Sequence, residues 1–418
     1  MPNLPQELVD RIIDQVASEI VEKYREELYS DWKEYEEGEG RELVSVAQCG
    51  LVCKTWLPRS RTHLFSTTRL SNDYESGADN INAFLRLLVR SGPISPLSFV
   101  QSLDLDLLGG PLNGGDTGRV LNLPMLTSLR IRTPDDKAPS IDEFFSGLTP
   151  HIRLLATNSP RLSCFHLDLN TDLPLPFLIH LLFNLPSLQS LTIGKPLGEN
   201  YDIVNPDSTV PQHGTFPKRL LTLELHLSCG AGLFFAWLLT FAELPIPRSL
   251  ALSLHLKDRD FPLEASLRPI DEYFRRAGSQ LDSLSLALSR NYLDESDYST
   301  VEHLNLERRL LESASRLSAL TFAPSDDAWA VPRILGFLPS SKLTALTIVF
   351  EEDEEAEFPW GPMDEALSHP KFETLQRFAV EDYWANFKRN VSLLDEEARA
   401  AMPLARARGI LHSRFSSD

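Results

Sequence analysis

From about residue 98 onward one pattern of apolar and polar positions keeps returning. A leucine is followed by two residues, an apolar residue, one residue and another apolar residue. It reads VQSLDLDL at 100–107, LTSLRIRT at 126–133, LSCFHLDL at 162–169, LQSLTIGK at 188–195 and LLTLELHL at 220–227. It continues as LALSLHL at 250–256, LDSLSLAL at 281–288, LSALTFA at 317–323, LTALTIVF at 343–350 and LQRFAVED at 375–382. Alternation over a few positions is the signature of a half-buried strand. The residues that open these strands are Leu103, Leu129, Phe165, Leu191, Leu223, Leu252, Leu284, Leu320, Leu346 and Phe378, at intervals of 26 to 36 residues. Helical spacing fills many of the gaps, at Ile141–Ala156, Pro174–Phe183, Leu233–Leu244, Ile270–Ala277, Val301–Ser313, Val331–Leu338 and Pro362–Leu367. Turn residues such as Asn158-Ser159-Pro160 separate them from the next strand.

Units of this size cannot bury their own apolar faces, but stacked neighbours share a continuous core. The intervals sit at or slightly above the leucine-rich-repeat period of roughly 20 to 29 residues. The expected fold is therefore α/β: an irregular leucine-rich-repeat solenoid over 99–418, with parallel strands and outer helices. The repeats lack the asparagine or cysteine that usually follows the strand. Residues one and three places after each opening residue face away from the core and line one surface. They are Asp104 and Asp106, Arg130 and Arg132, His166 and Asp168, Thr192, Glu224 and His226, Ser253 and His255, Ser285, Thr321, Thr347 and Glu381. The charged part, Asp104, Asp106, Arg130, Arg132, His166, Asp168, Glu224, His226 and His255, is the candidate surface for a protein substrate. In this register His226 and His255 are lateral neighbours beside Glu224, a set that invites a metal ion. Solvated or hydrogen-bonded histidines are the plainer alternative, and no metal is assigned.

The first 65 residues follow a different pattern. Leu8, Ile12 and Val16 recur at helical spacing with Ile13 beside them, after Pro5 at a position where a first-turn proline is tolerated. Val46, Cys49, Val52, Cys53 and Trp56 form a second stripe, which Pro58 is expected to end. Here the chain resembles the F-box family in its divergent fungal form. The resemblance rests on Leu-Pro-x-Glu-Leu-x-x-x-Ile-Ile, then Leu-Val-Cys-Lys-x-Trp-x-x-x-Ser-Arg-x-His-Leu-Phe. It implies a short helical module over 1–70, a connecting helix or linker over 71–98, and docking onto a Skp-type adaptor that joins a cullin–RING ubiquitin ligase. Leu4, Pro5, Leu8, Ile12, Leu51, Val52 and Trp56 would supply most of that surface. The charged residues 17–42 separate the two halves, a departure from the family pattern.

Composition narrows the functions. The chain has 418 residues, 42% hydrophobic and 24% charged, with a net charge of −19. That charge argues against general nucleic-acid or anionic-membrane binding, both of which rely on Lys and Arg. MPNLPQELVD has no basic segment followed by an apolar run, so no signal peptide is expected. Ala231–Ala242 is too short an apolar run to span a bilayer and reads as a buried helix. Cysteines 49, 53, 164 and 229 read as thiols in a reducing compartment, cytoplasmic or nuclear. The glycine-rich 108–118 lacks the Gly-Lys-Ser/Thr ending of a phosphate loop, and the acidic run 351–355 reads as a solvated loop. No catalytic motif is present, so neither an enzyme nor a cofactor is expected. Two functions follow: a ubiquitin-ligase substrate adaptor, or a repeat scaffold whose N-terminal helices merely cap the solenoid.

Overall fold

The computed structural model describes residues 7, 8, 10, 11, 13–15, 57–73, 78–79, 99–106, 123–132, 159–168, 175–194, 216–227, 231–256, 263–290, 298–323, 328–339, 342–350, 358–382 and 398–411. Outside the described residues lie the segments 17–42, 108–118 and 351–355, the helix expected at 141–156, the cysteines at 49, 53 and 229, and the docking residues Leu4, Pro5, Ile12, Leu51, Val52 and Trp56. The chain forms two compact units, residues 1–171 with 181–188, and residues 172–180 with 189–418.

In the first unit helix α1 (Leu57–Ser66) leads directly into strand β1 (Thr67–Asp73), which pairs antiparallel with the short β2 (Ala78–Asp79). β1 pairs in parallel with β3 (Ser102–Asp106), β3 with β4 (Ser128–Arg132), and β4 with β5 (Cys164–Asp168). One expectation is corrected here and another falls outside the described residues. The stripe over 46–56 that Pro58 was expected to end lies outside the described residues; Pro58 itself sits in the first turn of α1, where its missing N–H costs no internal hydrogen bond. The repeat sheet begins at Thr67 rather than after 98. Thr68 stands where the other strands carry a leucine or phenylalanine, which hides β1 from an apolar pattern.

The second unit holds β6 (Ser190–Gly194), β7 (Thr222–Leu227), β8 (Ser249–Leu256), β9 (Ser283–Arg290), β10 (Ala319–Ala323), β11 (Ala345–Phe350) and β12 (Arg377–Asp382). Each is parallel to the next. Between them run α3 (Ala231–Leu238), α4 (Leu263–Ala277), α5 (Tyr298–Ser313), α6 (Val331–Gly336) and α7 (Trp360–Leu367). α2 (Leu175–Asn184) precedes β6, and α8 (Pro403–Ala407) follows β12. The spacing starts α4 at Ile270, after Pro269, but the helix begins at Leu263. The proline removes one donor, yet Leu267, Ile270, Tyr273, Phe274 and Ala277 keep one buried face running past it.

Each repeat drives an apolar wedge into the core. Leu126, Leu129 and Ile131 are buried in the first unit, and Leu281, Leu284 and Leu286 in the second. At seven places among the described residues a carbonyl just before a strand accepts two successive N–H groups of the next repeat, whereas Leu221 O takes Ser249 N alone. Gln101 O takes Thr127 N and Ser128 N at 2.8 and 3.0 Å, and Thr344 O takes Gln376 N and Arg377 N at 2.9 and 3.0 Å. Where the residue at this position is Ser or Thr, its hydroxyl often donates to the same carbonyl. Thr127, Ser163, Ser318 and Thr344 bond Gln101, Thr127, Asp282 and Ser318 at 3.0, 3.2, 2.9 and 2.9 Å. These hydroxyls give the repeats a side-chain staple in place of the missing asparagine.

The register corrects one more expectation. β8 is in register with β7 and β9 through Leu250, not Leu252: Leu223 pairs with Leu250, and Leu250 with Leu284. The intervals there are 27 residues (Leu223 to Leu250) and 34 residues (Leu250 to Leu284). β8 alternates through Leu250, Leu252, Leu254 and Leu256. A slip of two residues keeps every leucine on its face, so the pattern cannot detect it.

The last repeat is closed by the C-terminal segment. The buried Asp364 of α7 accepts from Leu404 N at 2.9 Å and Ala405 N at 2.8 Å, which caps α8. Arg408 donates to Leu367 O and Phe372 O at 2.6 and 2.5 Å, and Phe378 N donates to Ile410 O at 2.6 Å.

One glycine gives a direct test of this packing. A Cβ on the buried Gly278 would meet the Ser313 carbonyl oxygen at 2.8 Å, whereas one on Gly336 would meet nothing within 4 Å. Gly278→Ala should lower unfolding stability by about 1–3 kcal/mol, because backbone at the end of α5 has to give way. Gly336→Ala should leave it unchanged or slightly raised. Chemical denaturation of both variants checks this, and equal effects would contradict the packing.

Candidate functional site

The parallel register arranges the outward residues of the first unit in rows. Asp104, Arg130 and His166 form one row, and Asp106, Arg132 and Asp168 the next. β1 adds Arg69 to the first row and Ser71 to the second. Neighbouring strands lie about 4.8 Å apart, so a long side chain reaches diagonally across one strand gap.

The arginines of β4 use that reach in both directions. Arg132 Nη2 donates to Asp104 Oδ2 at 2.8 Å. Arg130 crosses to Asp168, with Nε 3.0 Å from Oδ2 and Nη2 also donating to it. Arg132 Nε lies 3.9 Å from the same oxygen. On its own strand His166 Nε2 is 2.8 Å from Asp168 Oδ1. An ionised carboxylate only accepts, so Nε2 carries the hydrogen. Burial by itself pushes the Asp168 carboxyl up. The hydrogen bonds from His166 and Arg130, with their charges, outweigh burial and hold it down to about 2.

The result is a fixed, partly buried charge network, not a bare charged patch. Arg132 and Asp104 are 15% and 19% exposed, whereas Arg130 is 37% exposed, the more exposed of the two arginines. Asp104 Oδ1 is buried and accepts no hydrogen bond among the described residues.

The other candidates separate from this cluster. In the second unit Glu224 accepts from Thr192 Oγ1 at 3.2 Å. His226 pairs in register with Ser253, and His255 with Ser289. The two histidines are thus not lateral neighbours, a consequence of the register of β8. The described residues contain no group of three or more His, Cys, Asp or Glu able to hold a metal ion. The row through Glu224 continues as Ala251, Ser285, Thr321, Thr347 and Ala379, small and uncharged. Asp106 is placed by register alone, against Ser71 and Arg132.

In the N-terminal segment Leu8 is 45% exposed, while Ile13 is fully buried. A cluster that apolar spacing does not signal lies beside them. Asp14 receives Arg59 through Nε and Nη2 at 2.7 and 2.8 Å, and His63 Nε2 lies at 2.8 Å. The Arg59 hydrogen bond leads in lowering the Asp14 carboxyl to about 2.

No protein-family model matches the chain, and no curated protein matches it. Among solved structures it is similar to the leucine-rich-repeat-containing protein LegL7 from Legionella pneumophila. That match has 12% identity, covers 82% of this chain and 97% of that one, and has a TM-score of 0.41. A protein from Bacteroides fragilis is similar at 11% identity over 78% of this chain and 76% of that one, with a TM-score of 0.35. Likenesses so distant carry no argument. The fold is α/β with parallel, leucine-rich-repeat-like strand–helix units, as the register itself displays. Among the described residues no helix is long and apolar enough to cross a membrane.

The Asp168 network has a pH signature. Its folded pKa lies below the unfolded value, so the folded chain binds this proton more weakly and protonation favours unfolding. Its contribution is complete above about pH 4 and lost as pH falls towards about 2. Over that interval the natural chain should lose about 1–2 kcal/mol more stability than Asp168→Asn. Parallel acid titrations of the unfolding free energy would expose the error if the losses were equal.

Proposed function

We propose that this chain is a protein-interaction scaffold acting as the substrate-recognition subunit of an SCF-type cullin–RING ubiquitin ligase. Its N-terminal helices hold a Skp-type adaptor and its repeat surface holds a target protein. It performs no chemistry itself and uses no cofactor. It raises the effective concentration of a target lysine beside the ubiquitin-carrying enzyme. Such work belongs in the cytoplasm or nucleus.

The observation that carries the reading is the partition of the N-terminal apolar residues. Ile13 is buried, whereas Leu8, in the Leu-Pro-x-Glu-Leu run, is left 45% exposed. A helix that only capped the repeats would gain most by burying both. The Asp168 network supports the other half of the proposal, because an interaction surface gains specificity from charges held in place before the partner arrives.

A second reading, that the N-terminal helices cap the repeats, is favoured by a specific feature. α1 enters β1 with no residue between them, and β1 is itself a rung of the sheet.

Titration of the full-length chain with a purified Skp-type adaptor separates the two. Leu8→Asp and Trp56→Ala should each weaken binding by about a hundredfold or more, as expected for buried anchors. Arg130→Glu should leave adaptor binding unchanged and weaken target capture. A wild-type chain with no affinity for the adaptor, combined with a lower melting temperature for Leu8→Asp, would favour the cap.

A further inference from the structure

Residues 17–42 interrupt the N-terminal resemblance, so something has to bring its two halves into one surface. The Asp14 cluster spans that interruption. Arg59 meets Asp14 fork to fork, each nitrogen on its own carboxylate oxygen at 2.7 and 2.8 Å. His63 lies one helical turn beyond Arg59 on the same face of α1 and reaches Asp14 Oδ1 at 2.8 Å. A single carboxylate of the first helical segment is thus gripped by two side chains of α1. It stays ionised throughout the physiological range, with its carboxyl held down to about 2.

Two further facts give this grip a direction. Leu8 and Ile13 are five residues apart, about 140° around a helix at roughly 100° per residue. Fixing Asp14 on α1 beside the buried Ile13 therefore also fixes which way the exposed Leu8 points. α1 then continues into β1, whose Thr67 to Ser71 pair with Ser102 to Asp106.

We propose that Asp14 is the positioning residue of the N-terminal docking surface. Together with Arg59 and His63 it fastens the segment bearing Leu8 to α1, so that both halves face the adaptor as one. The proposal rests on the docking reading above. Leu8 and Trp56 touch the partner; Asp14 acts through them. Asp14 and Arg59 are each 40% exposed, and an exposed ion pair adds little to global stability. Its role is to choose an orientation, so charge reversal probes it better than truncation.

The experiment uses the full-length chain and has two readouts: amide exchange over residues 10–15, and titration with a purified Skp-type adaptor. Asp14→Arg should speed exchange there and weaken adaptor binding, each by about tenfold. Asp14→Arg combined with Arg59→Asp should bring both back to within about threefold of the natural chain. Unchanged exchange in Asp14→Arg overturns the clasp. Faster exchange with unaltered adaptor affinity also overturns the proposal, since the clasp would then order the helix without aiming it. A natural chain that binds no adaptor contradicts the docking reading instead; the exchange series, including its rescue, still decides whether the clasp exists.

Discussion

A strand of five or six residues with two apolar side chains on one face has nothing to bury them against except its neighbours. That shared burial is the constraint on which the rest of this molecule depends. Leu284 lies level with Leu250 on one side and Leu320 on the other, all buried, and each removes water from the next. Parallel pairing suits a chain in which, among the described residues, each strand from β7 to β11 is followed by a helix that returns the chain to the same edge. The carbonyls that take two N–H groups before most of these strands fix the rise from one repeat to the next. The Ser and Thr hydroxyls that join it explain how the stack does without the usual asparagine.

The outward surface is a by-product of the same register. Once Leu129 is level with Leu103 and Phe165, Arg130 and Arg132 have to stand between two strands that carry aspartates. The charges neutralise one another across the gaps, and Asp168 gathers the largest share. Such a network holds β3, β4 and β5 in step while it presents Arg130 and His166 in fixed positions. Under the function proposed above the same residues would serve both stability and recognition, so variants here have to be read on both scales. In the second unit the equivalent row is small and hydroxylated, and charge is nearly absent from it.

Most of the strand plan was legible in the sequence because its signal is short-range: an apolar residue, one residue, another apolar residue. Nine of the ten opening residues stand where that pattern puts them. Leu252 failed because a strand with four alternating leucines looks the same after a shift of two residues. The failure then spread to the site, since the supposed pairing of His226 with His255 depended on it. β1 was hidden by Thr68, and the start of α1 by Pro58, a residue that suits a first turn as well as the stretch beyond a last one. The row of Asp104, Arg130 and His166 was legible from alternation alone. The diagonal pairing of Arg130 with Asp168 was not, because it depends on side-chain reach across a strand. The Asp14 cluster was invisible for a different reason: 45 residues separate Asp14 from Arg59, and no periodicity links them.

The N-terminal segment joins the structural account to the functional one. The proposed docking role rests on the exposure of Leu8, while the direct passage of α1 into β1 points inward to the sheet. The two are compatible if the proposed docking surface is mounted on β1, which is itself paired with β3. The most direct measurement is affinity capture of the full-length chain from cells, followed by mass spectrometry, with Leu8→Asp run in parallel. The account predicts a Skp-type adaptor and a cullin with the natural chain, and loss of both with the variant. Recovery of neither from the natural chain, or of both from the variant, would contradict it.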